Sequence, residues 1–131
     1  MELDTVRQLN RKVKALEDKI ERLRDAQQST VPVIDGMPKS RGRGTSRLEE
    51  LTTQIMTLEE ELNAVKDELI ASTVDLTLEI LERVPHPAAD VLLERYTACK
   101  PFKPIVTSSG YSEQHIFRLH RDGVKAFKAA S

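Results

Sequence analysis

The chain has 131 residues and a formal net charge of −1; it is 39% hydrophobic and 31% charged, with 4% aromatic residues and no Trp. Few aromatics beside many charges favour long solvated helices over a thick core, in one domain or two small ones. The near-zero net charge hides an asymmetry, because residues 47–85 carry −7 and residues 86–131 carry +3, so phosphate is repelled by the middle and attracted by the C-terminal third.

Residues 2–28 carry Val6, Leu9, Val13, Leu16, Ile20 and Leu23 at alternating spacings of three and four. That is the seam of a coiled coil, since a 3.5-residue period keeps one stripe turned to a partner helix. A core helix of a globular bundle is the competing reading of the same pattern. Residues 29–45, STVPVIDGMPKSRGRGT, hold two Pro and three Gly and predict a loop.

Ser46 with Glu49 forms an S-x-x-E capping box and predicts a second helix over 46–84. Leu48, Leu51, Ile55, Leu58, Leu62, Val65 and Leu69 continue the seam; Ser72 interrupts it, and Leu76 and Ile80 resume it. The PHP run at 85–87 cannot continue a helix. Residues 1–85 are therefore expected to form a long antiparallel coiled-coil hairpin. The shorter first helix should cover about two thirds of the second, leaving Leu69 to Val84 to pack on the C-terminal segment or on a second chain.

Residues 86–131 form the second expected domain. AADVLLERYTA at 88–98 predicts a short helix, and Pro101 and Pro104 suit the first turn of the next. Gly110 can take the positive φ of a tight turn, and Ser112 is a good N-cap. In the helix that follows, 112–128, Ile116, Leu119, Gly123 and Phe127 share one face. The order helix, turn, capped helix is that of a helix-turn-helix, whose second helix enters the major groove of double-stranded DNA. Gln114 suits adenine, Arg118 guanine or phosphate, and Arg121 and Lys125 the backbone. Glu113 either accepts from cytosine or complements the helix N-terminus. The same stretch also reads as the last amphipathic helix of a small bundle. His115 and His120 could add hydrogen bonds there, although an exposed His is more often incidental.

The pair Arg95-Tyr96, thirteen residues, then GYSEQHIFRLH resembles region 4 of bacterial sigma factors. It is more similar still to the sigma-like domain of phage regulators of the ArpU/RinA type. It also resembles a small phage and prophage family with an N-terminal coiled coil, a glycine-bearing MP loop (here GMPKSRGRGTS) and a long acidic helix. The resemblance spans nearly the whole chain and implies an all-α regulator that dimerises through its coiled coil. It implies that Ser112 caps the reading helix, that Glu113, Gln114, Phe117 and Arg118 face DNA, and that Ile116 and Leu119 are buried. Phe102 and Ile105 would sit in the supporting helix, where PFKPIVTSS replaces the family's acidic helix-former, so a shorter helix is expected.

The implied partners are double-stranded DNA, a second copy in a homodimer, and host RNA polymerase. A small terminase-like packaging protein or a protein-interaction module are the other readings. No cofactor or metal is expected, because one Cys and three scattered His lack ligand spacing. Glu59, Glu60 and Glu61 read as a solvated face, and no catalytic motif points to an enzyme. The lone Cys99 excludes an internal disulfide framework, and no apolar run reaches the roughly 18 residues of a membrane span. A charged N-terminus is unlike a signal peptide. A soluble protein of the bacterial cytoplasm is expected, with no membrane partner.

Overall fold

The computed structural model describes residues 1–30 and 41–130, and the side chains of 1–29 and 47–130. The fold is all-helical: α1 (Thr5–Thr30), α2 (Arg41–Arg83), α3 (Ala88–Leu92, continued by a π turn over Leu93–Thr97), α4 (Phe102–Ser109) and α5 (Glu113–Ala129). The expected helix 2–28 is thus found at 5–30, and the expected helix 46–84 at 41–83. Ser46 lies inside α2 rather than at its cap, because the chain is already helical from Arg41. Of the expected loop, residues 31–40 lie outside the described residues.

The chain divides into two compact units, Met1–Asn10 with Glu68–Ser131, and Arg11–Asp67. Within the second unit, the heptad positions Val13, Leu16, Ile20, Leu51, Ile55, Leu62 and Val65 are buried, each contributing roughly 1.5–3 kcal/mol. Cross-helix links join Gln27 to Thr52 at 2.8 Å, Arg24 to Glu59 at 2.6 Å and Glu17 to Lys66 at 3.6 Å. Numbers falling along one segment as they rise along the other mean that the two run antiparallel. These ion pairs are solvated and add little, about 0–1 kcal/mol each; the apolar seam holds the unit.

In the first unit Leu76, Ile80 and Val84 of α2 are buried with Leu3, Val6, Ala88, Ala89, Leu92, Tyr96 and Phe127. This corrects one expectation. The end of α2 is met by the start of α1 as well as by the C-terminal helices. Residues on both sides of the PHP run belong to this one unit, and the seam past Ser72 is buried among them. Thr73 and Thr77 are tolerated in this part of α2 because their hydroxyls donate to the carbonyls of Leu69 and Thr73, each at 2.7 Å.

Candidate nucleic-acid interface

The C-terminal helices are short because their ends are specified one by one. The expected helix 88–98 changes at Leu93 into a π turn, with the Ala98 N–H donating to the Leu93 carbonyl at 3.0 Å. Cys99 closes it in the left-handed region, φ 57°. Pro101 stands just before α4 in extended backbone, one place earlier than expected. Pro104 is the third residue of α4, where its missing N–H has no intrahelical acceptor to lose. Gly110 ends α4 at φ 78°.

A Cβ at Gly110 would meet nothing within 4 Å, so the cost of replacing it lies in backbone conformation alone. Gly110→Ala is expected to lower stability by about 1 kcal/mol, read as a lower midpoint in urea unfolding at unchanged slope.

Two residues further on, Ser112 caps α5, its Oγ accepting from the His115 N–H at 3.2 Å. Ile116 is fully buried with Ile105 and Val91, against half-buried Phe102, Val106 and Leu119. Gly123 is buried too: a Cβ there would come 3.1 Å from Leu92 Cγ and 3.4 Å from Ala88 Cβ. Leu92 is itself fully buried and has little room to give, so Gly123 is what lets α5 approach α3. Phe127 completes the buried face at 4% exposure.

The opposite face holds the expected site. Glu113, Gln114, Phe117, Arg118, Arg121 and Lys125 are all exposed. At 100° per residue they share one arc of about 140°. Ser112 is exposed at its N-terminal edge. Three cations against one carboxylate make this arc basic. Arg121 has only the adjacent Asp122 at 3.8 Å, both side chains well exposed, a contact too weak to hold it. Phe117 lies edge-on to Phe102, ring centroids 5.0 Å apart, and stays 44% exposed. Lys103 is exposed, whereas Lys100 pairs with Glu94 at 3.6 Å.

His120 departs from its expected incidental role. Its Nε2 lies 2.7 Å from the Tyr96 hydroxyl, and its ring stacks on Tyr96 at 5.6 Å and meets the edge of Phe102 at 5.0 Å. Arg95 covers the Phe102 ring at 4.4 Å and donates to the Lys100 carbonyl at 3.1 Å. The pair Arg95-Tyr96 therefore braces α4 and α5 against α3. The sequence signal for this was the pair itself, but nothing in it named His120 as the acceptor.

Burial first, and the Arg95 guanidinium second, pull His120 below the ordinary imidazole range. The neutral ring can then accept from the Tyr96 hydroxyl, whose own pKa is raised, mainly by burial. A folded pKa below the unfolded value, about 6.5, means that the unfolded chain binds more protons. The stability this residue contributes is complete above that value and is lost as pH falls below it and through the lower folded pKa. Melting temperature is expected to fall from pH 7.5 to pH 5, and less steeply in His120→Phe; equal slopes would remove His120 as the cause.

Among the described residues no group of His, Cys, Asp and Glu is placed to hold a metal ion. No described helix is long and apolar enough to cross a membrane. Comparison with protein-family models, with curated proteins and with solved structures finds no match.

Proposed function

We propose that this chain is a sequence-specific DNA-binding transcription regulator of phage or prophage type. In this reading α3 to α5 form a sigma-region-4-like helix-turn-helix with α5 as the reading helix. The two long helices are the arms of an antiparallel coiled-coil hairpin that serves dimerisation. One observation carries it: a capped helix with one face fixed by Ile116, Gly123 and Phe127 turns Gln114, Phe117, Arg118, Arg121 and Lys125 outward on a single basic arc. Phosphate contacts would orient such a helix and base-edge contacts from its first two turns would select sequence. Host RNA polymerase is a further partner that the sigma-like resemblance suggests.

The test is selection of bound duplexes from a random pool at about 150 mM salt, with a Gln114→Ala, Arg118→Ala double variant in parallel. One motif enriched by the natural chain and lost in the variant supports the reading. Absence of binding even at low salt overturns it and leaves a protein-interaction module.

A further inference from the structure

α2 carries a second apolar face in its last turns. Leu76, Ile80 and Val84 are buried, yet Ile70, Val74, Leu78 and Leu81 are 65, 53, 60 and 56% exposed. Spaced four, four and three apart, they fall within an arc of about 80° on one side of the helix. Together they expose roughly 400 Å² of apolar surface, the size of the largest patch on a typical monomer, which is often functional.

The charge around the stripe narrows the occupant. Residues 67–82 hold five acidic side chains and no Lys or Arg, so DNA and anionic lipid surfaces are repelled. Helical register sets Asp75 and Glu82 along one edge of the stripe, and Thr73 and Thr77, both uncharged, along the other. An antiparallel pair of such helices would lay acidic edge on acidic edge. A parallel pair lays each acidic edge on the partner's threonine edge.

The geometry points to a second copy of this chain as the occupant, paired in parallel through Ile70, Val74, Leu78 and Leu81. This rests on the homodimer in the proposed function and names the surface that makes it. The stripe and α5 belong to one compact unit, so a parallel two-fold pair carries both α5 helices at the same end of its axis, as reading two half-sites requires. Stripe and edges together come to roughly the 1,000 Å² minimum of a specific interface, which sets the pair among weak, concentration-dependent ones.

Sedimentation equilibrium of the full chain from about 1 to 200 µM tests it. The natural chain should pass from the mass of one chain to that of two across that range. Val74→Glu with Leu78→Glu should remain at the mass of one chain with an unchanged helical circular dichroism spectrum, and Arg118→Ala should dimerise like the natural chain. Direction is read by oxidative cross-linking on a Cys99→Ser background: Leu81→Cys should link to itself. If only a mixture of Ile70→Cys and Leu81→Cys chains links, the pair is antiparallel and the assignment of direction falls. A natural chain that stays monomeric at 200 µM overturns the proposal and leaves the stripe for a different partner. Dimerisation without DNA binding would overturn the regulator reading alone, while DNA binding by a monomer would overturn this inference alone.

Discussion

Arg118→Ala is expected to weaken binding to the selected DNA site about 10- to 100-fold and to relax the preference at one base pair, as loss of a bidentate guanine contact does. Lys125→Ala is expected to act differently, weakening all duplexes alike and lowering the salt dependence by about one unit of slope. The difference follows from position. Arg118 stands in the second turn of α5, six residues from the Ser112 cap, and is exposed. Lys125 stands two turns further along the same exposed arc, where a helix entering the major groove by its N-terminus passes over phosphate. Fluorescence anisotropy with the selected duplex and a scrambled one, at three salt concentrations, separates the two effects. If Arg118→Ala changes only the slope, the helix touches backbone and carries no sequence information.

The second large effect is expected in the small cluster under α5. Ile116→Ala should lower unfolding free energy by about 2–4 kcal/mol, a large share of the 5–15 kcal/mol typical of a domain. Ile116 and Ile105 are fully buried and Val91 is 4% exposed. Three fully enclosed side chains leave few neighbours to close a cavity, so relaxation recovers little. Phe117→Ala, one residue away, should cost no more than about 1 kcal/mol, because Phe117 is 44% exposed and its main ring contact is the edge of Phe102. Urea unfolding followed by far-ultraviolet circular dichroism reads both. Equal losses in the two variants would mean that α5 is not seated by Ile116.

The turn between α4 and α5 was the most legible part of the chain. Gly110 and Ser112 act through their own backbone and their nearest neighbours, so a local signal was enough to place the left-handed turn and the cap. The same holds for Pro104, which disturbs nothing in the first turn of α4. Local rules were weaker guides to α2. Ser46 and Glu49 form a capping box in sequence, yet α2 is helical from Arg41. Helix length alone leaves the seam past Ser72 uncovered, whereas Leu3 and Val6 share a cluster with Leu76 and Ile80.

The candidate site divides the same way. The sequence by itself determined an all-helical chain, the apolar seam of the long helices, and the six outward positions of α5, because each of these is a matter of period and of which residue types can bear solvent. Tertiary structure decided the rest. Gly123 is required only because Leu92 and Ala88 stand within 3.4 Å of where its Cβ would be. His120 becomes a hydrogen-bond partner only because Tyr96, 24 positions earlier, is brought to 2.7 Å. The two apolar faces of α2's last turns look alike in sequence. One is buried and the other open because the start of α1 and helices α3 and α5 supply partners to one face, and a side chain's burial is set by what is folded against it.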